Sequence, residues 1–280
     1  MTLHTALRQG AELLESADIE SPRLTAELLL CHALHRDRSY LYAHAEQELR
    51  EVEWIHYGRY LHERIKRKPL QYITGIQEFY GRPFRVTPDV LIPRPETEHL
   101  IETALPLVSD RSAVIDVGAG SGAIAITLAL ETRRPTVAID LSAPALAVIR
   151  RNADALGATV DLLQADLLAP LAPASAGLIV SNPPYVAKSV RASLQPEVLD
   201  WEPALALFGG SSGLDFYRRL IPEAERVLKP GGFLVLEIGA GQSAAILALF
   251  GPDWSPPGLI PDLAGIPRII SGTFQGRRPH

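Results

Sequence analysis

The sequence predicts an α/β chain: a doubly wound, largely parallel sheet with helices on both faces, preceded by a small N-terminal helical bundle. Three observations carry this expectation. From Glu96 onward the apolar runs "SAVIDV", "PTVAID", "TVDLLQAD" and "AGLIVSN" have strand length and alternate with Ala-rich helical stretches. The first of these runs leads directly into a glycine-rich turn, Gly118-Ala119-Gly120-Ser121-Gly122-Ala123, that opens a helix. The first 70 residues, by contrast, show only helical periodicity.

Taken in order, residues 1–70 read as the helical domain. Leu3, Leu7, Leu13 and Leu14 form one apolar stripe, and Leu24, Leu28 and Cys31 form another. Ser21-Pro22 suits the cap and first turn of the second helix. A further helix is expected from Glu51 to Lys68, stopping before Pro69. The cations near its end, Arg64, Lys66, Arg67 and Lys68, read as solvated charges complementing the helix dipole. His32 and His35 lack a carboxylate or thiol partner in sequence and read as packing or surface residues. Residues 71–95 read as a hairpin linker with Tyr80-Gly81-Arg82 as its turn. Residues 96–280 read as the sheet domain, in which "GGFLVLEIG" supplies a late strand and "LAGIPRIISG" a terminal antiparallel edge. The proline-rich "GPDWSPPGLIP" reads as a loop.

Composition narrows the function. A net charge of −5 in 280 residues disfavours stable binding to duplex nucleic acid, which asks for a basic face to displace counterions. No apolar run approaches the roughly 18 residues a membrane helix needs, and the N-terminus lacks a basic start followed by an apolar segment. A cytoplasmic location is therefore expected. One cysteine, Cys31, excludes an internal disulfide, and no metal site is expected.

In a doubly wound sheet, ligands sit beyond the carboxyl ends of the strands where strand order reverses. The glycine turn alone is ambiguous, because as G-x-G-x-x-A it also satisfies the dinucleotide fingerprint, with Asp140 near the spacing of a ribose-binding acid. Three further residues favour S-adenosylmethionine over NAD. Asp116 precedes the turn and can hold backbone donors or the ligand's amino group. Asp166 ends the third strand near a purine edge, and Asn182 follows the fourth. Against each acid stands the ordinary capping role of Asp at a strand end, with Ser142 a competing cap for the helix after Asp140.

Asn182-Pro183-Pro184-Tyr185 then stands directly after the apolar run Leu178, Ile179, Val180. These residues, together with "PLQYITGIQEFYGRPFRVTPDVLIPRPETE", "VIDVGAGSGAIAI" and "EPALALFGGSSGLDFYRRLIPEAERVLKPGGFLVLEIGAGQ", resemble the release-factor glutamine methyltransferases (PrmC/HemK) over most of the chain. The resemblance implies a class I S-adenosylmethionine-dependent methyltransferase with a Rossmann-like sheet, an N-terminal domain for substrate recognition, and release factors as partners. It implies methyl transfer to the side-chain nitrogen of the glutamine in a Gly-Gly-Gln motif. Carried onto this sequence, the cofactor positions are Gly118, Ala119, Gly120, Ser121, Gly122, Asp140, Leu167 and Asn182, and the substrate-amide positions are Asn182, Pro183, Pro184 and Tyr185. Family members often place an aromatic residue where this chain has Leu167, so only an aliphatic contact to adenine is expected there.

The tetrapeptide has a chemical reason. An amide nitrogen is a poor nucleophile because its lone pair is delocalised, as the rotation barrier of about 18–20 kcal/mol attests. Acceptors aimed at its two N–H bonds would localise charge on nitrogen and strengthen in the transition state, and the Asn182 side-chain oxygen and the Pro183 carbonyl are the expected pair. Prolines stiffen the turn and bring no competing N–H. Tyr185 can lay its ring on the planar amide or simply close the pocket. An N6-adenine DNA methyltransferase shares the NPPY motif and the same chemical problem. An NAD-dependent oxidoreductase rests on the glycine turn and Asp140 alone.

Overall fold

Amphipathic helices that cannot bury a face alone pack into the first of two compact units, Met1–Ile76 with Gln195–Trp201. The computed structural model describes residues 1–109 and 113–276. The first unit contains α1 (Leu3–Ser16), α2 (Pro22–Leu34), α3 (Arg38–Ala43), α4 (Glu51–Ile65) and α5 (Leu70–Thr74). Its core joins Leu3, Leu7 and Leu14 of α1 to Leu29, Leu30 and Cys31 of α2 and Tyr57 and Leu61 of α4. Gly10 sits mid-helix because a Cβ there would meet the ring of Tyr57 at 2.8 Å.

Several local expectations change here. Leu13 and Leu24 are 46% and 42% exposed, so the buried stripes run instead through Ala6 and Gly10 in α1 and through Ala26, Leu29 and Leu30 in α2. Ser21 stands at the N-cap of α2 but adopts left-handed backbone and its hydroxyl makes no capping bond. The fourth helix stops at Ile65, three residues before the expected end. Of the four cations at its end only Lys66 is exposed as expected: Arg64 is buried and donates to Glu197 at 2.9 Å, Arg67 reaches the same carboxylate at 3.5 Å, and Lys68 pairs with Glu63 at 2.6 Å.

The second unit, Gln77–Leu194 with Glu202–His280, carries the sheet. In chain order the elements are β1 (Ile76–Phe79), β2 (Arg82–Arg85), α6 (Glu98–Ala104), β3 (Ala113–Val117), α7 (Ala123–Thr132), β4 (Thr136–Asp140), α8 (Ala143–Leu156), β5 (Asp161–Gln164) and β6 (Ala176–Ser181). There follow α9 (Pro196–Trp201), which belongs to the first unit, then α10 (Ala204–Leu207), α11 (Asp215–Val227), β7 (Leu228–Glu237), α12 (Ser243–Leu247), β8 (Gly258–Pro261) and β9 (Pro267–Thr273). The seven-stranded order is β5-β4-β3-β6-β7-β9-β8, with β5 through β7 parallel and β9 and β8 antiparallel. Strand alternation divides the core into two layers. Ile115, Val117, Ile139, Ile179, Leu234 and Leu236 face α11, whereas Val114, Ala138, Leu178, Val180 and Val235 face α6 and α7.

The β1–β2 hairpin turns through Tyr80 and Gly81 alone, at φ +51° and +67°, as a tight turn with two left-handed residues requires; Arg82 already belongs to β2. It packs into the second unit, because buried Asn152 of α8 accepts from Arg85 N–H at 2.8 Å and donates to the Arg85 carbonyl at 3.0 Å. At the far side, β9 is not the edge. The end of the expected loop, Gly258–Pro261, is the edge strand β8, where prolines are tolerated because one side of the strand needs no ladder donor.

Candidate active site

Adjacent strands β3 and β6 are the switch point of the sheet, since the chain winds from β3 outward to β5 and returns to begin β6 on the other side. A cavity opens beyond their carboxyl ends. Gly118, Gly120, Asp140, Leu141, Asp166, Leu167, Asn182, Pro184 and Phe216 line it, joined by Asp89, Val90 and Leu91 from the segment after β2.

The glycine turn is shaped by its backbone. Gly118 and Gly120 lie at φ +72° and +56°, conformations costly for any residue with a Cβ. Gly122, at φ +81°, caps α7, and a Cβ there would meet Ile126 and Ile149 at 2.9 Å. Asp140, the last residue of β4, holds the turn by accepting from Gly120 N–H and, with its other oxygen, from Ser142 N–H, both at 2.9 Å. Ser142 is also the cap of α8, accepting from Ala145 N–H at 3.3 Å. Asp140 thus combines a structural placement with a cavity-facing one: its oxygens are anchored, yet the residue stays at the cavity wall.

Alternation along β3 sends Asp116 to the α7 face rather than to the cavity. It is fully buried, accepts from Ala125 N–H at 3.0 Å, and its other oxygen has no partner among the described residues. Burial pushes its carboxyl up to about 7 although the Ala125 N–H works against that rise. Ala119, Ser121 and Gly122 likewise present buried positions behind the wall; the Ser121 carbonyl takes the Asn152 amide at 2.8 Å.

Strand β5 ends at Gln164, two residues short of the expected Asp166, which therefore stands in the following loop. Its carboxylate pairs with Arg219 at 2.7 Å, and both side chains are half exposed. Leu167 is buried at φ +54°, strained backbone for a branched side chain, and forms an aliphatic part of the cavity wall.

The tetrapeptide leaves β6 directly. Asn182 and Pro184 reach the cavity, while Pro183 is buried beside them and Tyr185 is half buried. Ser181 anchors the strand end by donating to the Val117 carbonyl at 2.6 Å. Asn182 donates its side-chain N–H to Thr97 Oγ1 at 3.0 Å, and Thr97 donates to Glu237 Oε2 at 2.7 Å. Tyr185 Oη lies 3.5 Å from Glu237 Oε1, and burial pushes its phenol up to about 12. Among the described residues no donor takes the Pro183 carbonyl oxygen.

Backbone on either side is clamped. Gln242 donates to the Tyr185 carbonyl at 2.9 Å and accepts from Gly239 N–H at 3.0 Å. The Gly209–Gly213 loop lies so close that a Cβ on Gly209 would collide with the Pro184 carbonyl and one on Gly213 with that of Tyr185. Glu202, buried, accepts from Arg94 at 2.5 Å and from Ile92 N–H at 3.4 Å, tying the segment that carries Asp89–Leu91 to the start of α10. Burial raises its carboxyl above the ordinary range against the pull of Arg94.

Sequence reasoning assigned no role to Thr97, Glu202, Gln242 or Glu237. A glutamate closing the otherwise apolar run "FLVLE" was the available signal, because an acid at a buried strand position needs a partner. Thr97 carried no such signal.

Residues 5–75 match the PrmC N-terminal domain model and residues 96–199 the methyltransferase small domain model. The release factor glutamine methyltransferase of Koribacter versatilis is 46% identical, covering 97% of this chain and 98% of its own. That of Geobacter sulfurreducens is 42% identical, covering 97% and 96%. Among solved structures, the E. cuniculi Mtq2–Trm112 complex, responsible for methylation of the eRF1 translation termination factor, shares the fold at TM-score 0.50 and 22% identity, covering 67% of this chain and 99% of that one. Near-complete coverage at that identity makes this chain a member of the release factor glutamine methyltransferase family.

Proposed function

We propose that this chain transfers the methyl group of S-adenosylmethionine to the side-chain nitrogen (N5) of the glutamine in the Gly-Gly-Gln motif of peptide-chain release factors, modulating translation termination. Family membership supports the reaction class. One observation carries the chemistry: the Asn182 N–H end is committed to Thr97, which leaves its oxygen to serve as an acceptor next to the free Pro183 carbonyl. When bound, S-adenosylmethionine supplies an electrophilic methyl group.

The cavity fits that cosubstrate. Gly118 and Gly120 leave room for close backbone approach, Asp140 offers acceptor lone pairs for ribose hydroxyls, and Leu141, Leu167 and Phe216 provide apolar surface for an adenine ring. Asp166 completes the assigned cofactor set at the wall, and Ala119, Ser121 and Gly122 shape the turn from behind it. Asp116, buried against α7, is assigned to holding the turn from behind. Asn182 Oδ1 and the Pro183 carbonyl each accept one N–H of the glutamine amide, drawing density onto its nitrogen. Pro184 and Tyr185 wall the amide plane. No strong base lies within the tetrapeptide, so the proton departs after transfer, when the methylated nitrogen is far more acidic.

The helical unit, which matches the PrmC N-terminal domain, is assigned to recognising the protein substrate. No described helix is long and apolar enough to cross a membrane, and we assign the enzyme to the cytoplasm with no stable nucleic-acid partner. The test offers S-adenosylmethionine with purified release factor and, separately, with duplex DNA, and locates the added methyl by mass spectrometry. Methyl on the Gly-Gly-Gln glutamine is the expected result; methyl on adenine alone overturns it.

A further inference from the structure

We propose that Glu237, acting through Thr97, fixes which end of the Asn182 amide faces the cavity, and is thereby a positioning residue for methyl transfer. The proposal rests on the reading of Asn182 Oδ1 as the acceptor of the substrate N–H.

The two ends of an asparagine amide are nearly the same size, so only their partners decide which way the group points. Thr97 has one hydroxyl hydrogen and two lone pairs. An ionised carboxylate can only accept, so Glu237 takes that hydrogen, at 2.7 Å. Thr97 then has only lone pairs to offer Asn182, which must present N–H, as the 3.0 Å contact has it. The Asn182 oxygen is left pointing the other way. Thr97 and Glu237 are each 4% exposed, so water does not compete for either bond. Ionised Glu237 therefore writes the polarity of the site two hydrogen bonds away.

Protonation reverses the chain. A neutral Glu237 donates to Thr97, the Thr97 hydrogen turns to Asn182, and the amide turns over to present N–H to the substrate's own N–H. The charged and titratable groups around Glu237 set when this happens. Burial and the nearby Glu96 raise its carboxyl, to about 7, while Thr97, Arg268 and Tyr185 work to lower it. Tyr217 donates to the Glu237 main-chain oxygen at 2.8 Å and holds the residue in place without touching the carboxylate. Methyl transfer is thus expected to rise with pH through about 7.

The test uses the full chain, with release factor as substrate, and compares Thr97→Val, Thr97→Ser, Glu237→Gln and Asn182→Ala. Thr97→Val and Glu237→Gln are each expected to lower kcat by about 10- to 100-fold with little change in KM, as loss of one aimed hydrogen bond does. S-adenosylmethionine affinity, measured by calorimetry, should stay within about twofold. Thr97→Ser, which restores the hydroxyl, should recover most of what Thr97→Val loses, and the rising limb of the pH profile should vanish in Glu237→Gln. Should Thr97→Val and Glu237→Gln fall within about threefold of wild type while Asn182→Ala is inactive, the relay is wrong and the acceptor reading stands. Should Asn182→Ala itself keep its rate, the acceptor reading fails and the relay with it. A readout independent of turnover is the nitrogen-15 signal of the Asn182 side-chain amide in the wild-type protein. It should shift with pH through about 7, and an unmoving signal overturns the proposal even where a variant fails to fold.

Discussion

Gly213→Ala separates the clamp on the tetrapeptide from ordinary backbone strain. Gly213 lies at φ +76°, and a Cβ there would stand 3.1 Å from the Tyr185 carbonyl carbon and nearer still to its oxygen. Carbon contacts settle at about 3.5–4.0 Å, so loop and tetrapeptide must separate by an amount on the order of 1 Å. A misplacement of that size costs roughly 100-fold in rate when it moves groups that orient a substrate. The control is Gly157→Ala, at the end of α8: φ is similar, +69°, and no atom of the described residues lies within 4 Å of the added methyl. Both variants carry the left-handed penalty of about 1–2 kcal/mol, read by urea unfolding. Only Gly213→Ala should lose about 100-fold in kcat, with S-adenosylmethionine affinity unchanged. Equal activity in the two variants would refute the reasoning, because it would mean the tetrapeptide backbone is not held by that loop.

Legibility followed from how far apart the cooperating residues lie. The parallel part of the sheet was readable because each of its strands announces itself locally, and the switch point followed from the order of the runs without any contact being known. Gly118, Gly120, Asp140 and Asn182 were legible for the same reason, as each sits at a strand's carboxyl end. For Asp116 local spacing left two roles open, because it says nothing about which face of β3 the residue takes; alternation gives it to α7, where it holds the backbone donor of Ala125. The Asn182–Thr97–Glu237 chain spans sequence separations of 85 and 140 residues, so no window contains it. Strand β8 hid behind prolines that are compatible with an edge and with nothing more central. Arg64 looked like one of four surface cations because its partner, Glu197, arrives 133 residues later.

Asp140→Ala removes a charged acceptor from the cavity wall and the anchor of Gly120, so S-adenosylmethionine affinity by calorimetry should fall at least tenfold, the equivalent of about 1.4 kcal/mol; unaltered affinity would end the ribose assignment. Arg64→Ala leaves the longer Arg67 contact as the remaining ion pair of Glu197 among the described residues, and urea unfolding should show a loss of about 3 kcal/mol, whereas a loss under about 1 kcal/mol would mean the pair is dispensable. Glu237→Gln should make stability and activity diverge. The native carboxyl titrates at about 7 against 4.5 in the unfolded chain, so between those values the folded state holds a proton the unfolded state has released. Stability contributed by that proton is complete below pH 4.5 and is lost as pH rises through 7. The difference of 2.5 in pKa corresponds to about 3 kcal/mol at 1.36 kcal/mol per unit. Glutamine carries no such proton, so the variant should gain on wild type by about that amount between pH 4 and pH 8 in paired urea titrations. Asp116, also lifted to about 7, titrates in both proteins and cancels in the comparison. The ionisation that weakens the fold at the end of β7 is the one that the proposed polarity of Asn182 requires, and a constant stability difference across that window would remove this coupling.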